Sequence, residues 1–186
     1  MDPNKNPWTT TSSKNVYDNS WINVTEHQVI NPSGGNGIYG KIHFKNLAIG
    51  IVVLDEEDQI WLVGQYRYPI NQYSWEIPEG GGPHDVDPLD SAKRELLEET
   101  GVTAKIWFEL MQMHLSNSVS DEKGYIYLAQ NLSYGDSEPE ETEQLELKKM
   151  PFEKAYQMVM NGEITDSMSV AGIMKVKLLK LQGKLL

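Results

Sequence analysis

The chain has 186 residues, long enough for one well-cored domain and short for two. A hydrophobic content of 39% with five Trp and nine Tyr fits a folded globular chain rather than a disordered one. The absence of cysteine excludes disulfides, thiol catalysis and thiolate-held metals, and a formal net charge of −11 argues against coating nucleic acid. No stretch reaches the roughly 20 apolar residues of a membrane-spanning helix. The opening MDPNKNPWTTTSS carries no apolar run, so the sequence predicts no secretory leader and a cytoplasmic location.

In chain order, residues 1–15 are polar and read as loose. Trp21–Ile30 alternates as a strand, and Asn31-Pro-Ser-Gly-Gly-Asn-Gly37 is a turn that returns Ile38–Phe44 as a hairpin. Ala48–Leu54 is a buried-strand run, Asp55–Asp58 a turn, and Gln59–Tyr66 the returning strand. Further strands are predicted at Ala104–Met113, Tyr125–Asn131 and around Gln144–Lys149. The period then changes. Pro151 can open a helix with Phe152, Ala155, Met158 and Val159 on one face, closed by Asn161-Gly162. Asp166 reads as the N-cap of a last helix whose apolar face includes Val170, Ile173, Met174, Val176 and Leu179. These elements predict an α/β chain: an N-terminal antiparallel β segment over residues 1–46, then one domain over 47–186.

The chemistry concentrates in GGGPHDVDPLDSAKRELLEETGV, residues 80–102. Asp87 is a good N-cap, Pro88 a good first helical residue and Gly101 a good residue past the C-terminus. At 100° per residue, Leu89, Ala92, Leu96 and Leu97 form an apolar stripe, with Glu95, Glu98 and Glu99 on an adjacent arc. Like charges at spacings of three and four repel by a few tenths of a kcal/mol per pair, and carboxylates at a helix C-terminus oppose its dipole at roughly 0.3–1 kcal/mol each. Arg94 alone cannot neutralise three carboxylates, whereas hard divalent cations can. A solvated acidic helix face is the plainer explanation, but the spacing speaks against it.

Gly80, Arg94-Glu95, Leu96, Glu98-Glu99, Gly101 and Val102 match the box of the Nudix hydrolases: Gly, five residues, Glu, seven residues, Arg-Glu, aliphatic, any, Glu-Glu, any, Gly, aliphatic. The chain therefore resembles the Nudix family. Trp75-Glu-Ile-Pro-Glu-Gly80, Ser118-Val-Ser-Asp-Glu122 and the acidic run Glu138–Glu146 resemble its branch acting on ADP-ribose and nucleoside diphosphate sugars. One position departs: Val86 stands where the box has a glutamate, a residue usually described as supporting the box through the arginine. Asp85 or Asp87 could take over Arg94.

The resemblance implies the Nudix fold, a mixed β-sheet sandwiched between helices. It implies Mg²⁺ or Mn²⁺ held by Glu95, Glu98 and Glu99, with a backbone carbonyl of Gly80 or Glu79. It implies a general base in the acidic loop, Glu140 first and Glu141 second. Arg67 is implied as a contact to substrate phosphates and Glu122 as a residue near the diphosphate or a metal. An aromatic ring, Trp21, Tyr66, Tyr68 or Tyr73, is expected to stack on the nucleobase. The implied reaction is hydrolysis of the pyrophosphate bond in ADP-ribose, an ADP-sugar or GDP-mannose, by a homodimer in which the N-terminal strands of one subunit help build the partner's site. Two other outcomes stay open at this level: a domain that binds the nucleotide sugar without turnover, and a Nudix enzyme acting on nucleoside triphosphates.

Overall fold

The computed structural model describes residues 5–135 and 145–185. It divides into two compact units: the chain through Asn46 together with His114–Glu122, and Leu47–Met113 together with the chain from Lys123 onward.

In the first unit, β1 (Thr9–Asp18), β2 (Ile22–Ile30) and β3 (Asn36–Phe44) form an antiparallel sheet in that order. The expectation of a loose N-terminus fails here. Thr9 pairs with Ile30 and Asp18 with Asn23, although every residue of β1 is exposed. A strand with both faces in water carries no alternation, so its hydrophobic pattern gives no sign of it. The β2–β3 turn is set by Asn31, whose side chain accepts from the N–H groups of Ser33 and Gly35, with Gly34 at φ 85°. The segment 114–122 is tied to β3. Asp121 accepts from Lys41 at 2.9 Å, from His43 Nδ1 at 2.8 Å and from the Phe44 N–H at 3.1 Å. Burial works against its charge, but these bonds hold the Asp121 carboxyl down at about 2.

Apart from the end residues Asn46 and His114, the second unit comprises β4 (Asn46–Val53), β5 (Gln59–Arg67), β6 (Gln72–Glu76), β7 (Glu79–Pro83), α1 (Pro88–Thr100), β8 (Val102–His114), β9 (Lys123–Tyr134), β10 (Glu146–Pro151), α2 (Phe152–Met160) and α3 (Ser167–Leu181). One sheet runs β7-β4-β9-β8 and the other β10-β5-β6. β4 and β9 are parallel, Ala48 beside Gly124 through Val53 beside Ala129. Parallel central strands covered on both faces read as continuous apolar runs, as AIGIVVL does. On one face Ile49, Ile51, Val53, Tyr127 and Ala129 pack with Ala92 and Leu96 of α1. On the other, Gly50 faces Met168 of α3, while Gly172 of α3 lies against Val52 and Ile126. The mixed sheet is therefore sandwiched between helices, as expected.

The ends of α1 follow the sequence reading. Asp87 accepts from the Leu89 N–H at 2.9 Å, Pro88 opens the helix, and Gly101 closes it at φ 69°. Two stripe assignments do not hold. Leu97 is 44% exposed, because it lies about 80° round the helix from Leu89, at the stripe's edge. Met174 is also exposed, and Met168 fills the face of α3 instead. Pro151 caps α2 rather than entering it. The short strands β6 and β7 flank Ile77-Pro78 and have no alternating pattern to announce them.

Candidate active site

β7 and α1 approach each other closely, and the glycines of EGGGP are the reason. A Cβ on Gly80 would fall on the Glu95 carboxyl group, and one on Gly82 would lie 2.9 Å from Ser91 Oγ. Bare backbone at these positions lets α1 lay its acidic arc against the strand. Glu95 and Glu99, one turn apart, are buried at 9% and 4% exposure, whereas Glu98 is half-buried. The Glu79 N–H donates to Glu99 Oε2 at 3.1 Å, joining the start of the box to its end.

Arg94 lies among these acids. Nη1 donates to Glu98 Oε2 at 2.5 Å, and Nη2 donates to Glu95 Oε1 at 2.5 Å and to the Gly81 carbonyl at 2.8 Å. Burial disfavours its charge, but Glu95 and Glu98 outweigh that and raise its pKa. Neither Asp85 nor Asp87 takes over the arginine; Asp87 is engaged as the helix cap. Val86 is 40% exposed in the turn before α1.

A second acidic group adjoins the first. Arg67, at the end of β5, donates to both oxygens of Glu76 at 2.6–3.1 Å and to Glu79 Oε1 at 2.7 Å. Burial disfavours the Arg67 charge, yet the Glu76 bonds and the charges of Glu76 and Glu79 raise its pKa. Asp166 completes the group: among the described residues, carboxylate oxygens of Glu76, Glu79 and Asp166 lie within 4.8 Å of one another. Burial, then the charges of Asp166 and Glu76, push the Glu79 carboxyl well above its usual range, with Arg67 pulling the other way. Asp166 also caps α3 through the Ser169 N–H at 2.7 Å, and Ser169 Oγ accepts from the Ile77 N–H at 2.9 Å. The start of α3 is thereby fastened to the Glu76–Glu79 bend. Glu76 and Asp166 were not anticipated as site residues. Glu76 lies within the WEIPEG motif at residues 75–80, whereas Asp166 carried only a capping signal.

The remaining sequence-predicted residues fall elsewhere. Trp21 (68% exposed) and Glu122 belong to the first unit, and burial pushes the Glu122 carboxyl up. Tyr66, Tyr68 and Tyr73 are exposed on the β5–β6 hairpin, where Tyr66 Oη donates to Asn71 and Tyr73 Oη to Glu146. Glu140 and Glu141 lie outside the described residues. On one side of them, Gly135 at the end of β9 donates its N–H to the Gly101 carbonyl at 2.8 Å, beside the C-terminus of α1.

The donor set fits a hard divalent cation. Glu76, Glu79, Glu95, Glu98, Glu99 and Asp166 supply carboxylate oxygens alone, and the guanidiniums of Arg67 and Arg94 leave negative charge in excess. Glu79 Oε2 is buried and receives no donor among the described residues, a polar atom whose burial is costly until a proton shared with Glu76 or a cation satisfies it.

Comparison with known proteins bears on the family and the fold. A NUDIX domain model matches residues 44–167, and a nucleoside diphosphate sugar hydrolase N-terminal domain model matches residues 8–42. The chain is 32% identical over 175 residues to an ADP-ribose pyrophosphatase of Mycobacterium tuberculosis, covering 90% of this chain and 82% of the relative. It is 31% identical over 133 residues to an ADP-ribose pyrophosphatase of Bacillus subtilis, covering 70% and 72%. Among solved structures, an ADP compounds hydrolase superposes with a TM-score of 0.84 at 22% identity, covering 96% of this chain and 97% of the other, a likeness of fold. The box on α1, the sandwiched sheet and these matches together make this chain a member of the Nudix family of pyrophosphohydrolases.

Proposed function

We propose that the chain hydrolyses the pyrophosphate bond of a nucleoside diphosphate sugar, with ADP-ribose as the first substrate to test, giving a nucleoside monophosphate and a sugar phosphate. The observation that carries the reading is the buried pair Glu95 and Glu99 on α1, laid against the glycine backbone of β7. The match of residues 8–42 to an N-terminal domain of nucleoside diphosphate sugar hydrolases, and the printed names of the relatives, support the substrate class.

In this reading Glu95, Glu98 and Glu99, with a carbonyl of Gly80 or Glu79, hold Mg²⁺ or Mn²⁺. Such an ion neutralises charge on the phosphates and makes water a stronger nucleophile at neutral pH. The protein's own groups do the rest. Glu79 orients Glu99 through its N–H, and Arg67 fixes Glu79. Arg67 can contact a phosphate only by sharing its guanidinium with Glu76 and Glu79, so its first role is to hold these two acids. Glu140, then Glu141, is the candidate to accept the proton of the attacking water. Trp21 is the candidate ring for the nucleobase, and Glu122 a further substrate contact. A homodimer suits the first unit, whose β1 is exposed along its length and whose sheet contributes one buried hydrophobic residue, Val29. Among the described residues no helix is long and apolar enough to cross a membrane, and we place the enzyme in the cytoplasm.

The test is incubation with ADP-ribose and Mg²⁺ followed by phosphatase-coupled detection of phosphate. ADP-glucose, GDP-mannose and ATP run in parallel. Release from the diphosphate sugars supports the proposal. Pyrophosphate from ATP alone moves the enzyme to nucleoside triphosphates. Binding of ADP-ribose without product from any compound makes the chain a binding module.

A further inference from the structure

The box glutamates share one arc of α1, yet they do not converge. Among the described residues the acids whose oxygens lie within 4.8 Å of one another are Glu76, Glu79 and Asp166, not Glu95, Glu98 and Glu99. The guanidinium of Arg94 stands between two of the box acids, with Nη1 on Glu98 and Nη2 on Glu95, both at 2.5 Å. Carboxylates separated by one cation cannot also close around another. Like charges at helical spacings of three and four repel, and Glu95 and Glu99 are buried, so a counter-cation on this arc lowers its cost. Val86, exposed in the preceding turn, offers the arginine no alternative acid. The Gly81 carbonyl, at 2.8 Å from Nη2, gives Arg94 a neutral anchor that does not depend on the glutamates. The arginine side chain is 42% exposed and has room to move.

We propose that Arg94 is an exchangeable internal counter-ion. It holds Glu95 and Glu98 in the metal-free protein and releases Glu98 when a divalent cation takes over their charge, keeping Gly81 as its anchor. The inference rests on the metal-dependent reading above and assigns Arg94 a positioning role, not a catalytic one. Two cations that compete for the same carboxylates are negatively coupled: removing one tightens the binding of the other. An arginine that only orients a ligand has the opposite signature, because its loss weakens the metal.

The experiment is titration of Mn²⁺ into the whole protein without substrate, by calorimetry, for wild type, Arg94→Gln and Arg94→Lys, with thermal melts in EDTA and in saturating Mg²⁺. Exchange predicts that Arg94→Gln binds Mn²⁺ tighter, on the order of 10-fold, within the usual range for coupled sites. It also predicts that the variant melts below wild type in EDTA and that Mg²⁺ narrows the gap. Arg94→Lys retains a cation and falls between the two; it also carries the test if Arg94→Gln does not fold. Binding that is unchanged or weakened in the variants overturns the exchange while leaving the metal-dependent reading in place. A wild-type protein that binds no Mn²⁺ overturns both.

Discussion

Gly80→Ala separates the chemistry of the site from the stability of the fold. Gly80 does not have a left-handed backbone, so alanine is compatible with its φ. The single new methyl group falls inside the van der Waals envelope of all three carboxyl atoms of Glu95. Ordinary carbon contacts begin near 3.5–4.0 Å, so the carboxyl group must move by on the order of 1 Å. Overpacking costs about 1–3 kcal/mol, at the low end here because the displaced group is the far end of a side chain. Loss of glycine freedom from the unfolded chain returns about 0.4–1 kcal/mol. Stability should therefore change by less than about 2 kcal/mol, and Tm by less than about 8 °C. A 1 Å misplacement of a group that positions reactants can lower kcat/KM by roughly 100-fold, or about 2.7 kcal/mol of activation free energy. The assay is kcat/KM on ADP-ribose with Mg²⁺, beside a thermal melt of the same sample. A variant with wild-type kcat/KM would show that the position of Glu95 does not matter to turnover. Collapse of the fold would show that the glycine serves packing alone.

Other changes probe other parts of the molecule. Glu99→Gln should cut Mg²⁺-dependent turnover by orders of magnitude in a protein that stays folded by circular dichroism, since an amide oxygen still accepts from the Glu79 N–H but carries no charge. EDTA should abolish activity and added Mg²⁺ restore it; full activity after chelation would refute the metal requirement. Gly172→Ala places a Cβ 2.9 Å from Val52 Cγ2 and 3.2 Å from Ile126 Cγ2 in the core. It should cost about 1–3 kcal/mol and lower Tm by about 2–12 °C, with turnover at 25 °C near wild type. Asp121→Asn should destabilise the first unit at neutral pH. Because the folded carboxyl sits at about 2, below the roughly 3.9 of an unfolded aspartate, the wild-type advantage is complete above about pH 4 and fades as pH falls through 2. Melts across that range should converge, and a gap that persists at acid pH would contradict the ionic origin.

The helix carrying the box was legible because three independent signals coincide in it: Asp87-Pro88 at the start, Gly101 at the end, and a spacing of Glu95, Glu98 and Glu99 that stability alone does not favour. The central strands were legible because a parallel strand covered on both faces must be apolar throughout. β1 escaped because TTTSSKNVYD is exposed at every position and held by backbone bonds, which leave no mark on side-chain pattern. The Glu76, Glu79 and Asp166 group escaped for a different reason. Its members come together only through the fold, and each alone had a sufficient local role in a motif or a cap. Leu97 shows the limit of counting by 100°: at the edge of a stripe, burial depends on what the neighbouring element covers.

Asp166 and Ser169 lie far along the chain from the box, yet they belong to its supporting frame. Asp166 shares its carboxylate between the helix cap and the acidic group, and Ser169 anchors the Ile77 N–H between Glu76 and Glu79. The first turn of α3 therefore shares the electrostatic state of the site. A cation entering there, which changes the charge of the group, should register in amide exchange at residues 167–170. A label on the last helix could then report events at the box, from a segment that touches none of the box glutamates in sequence.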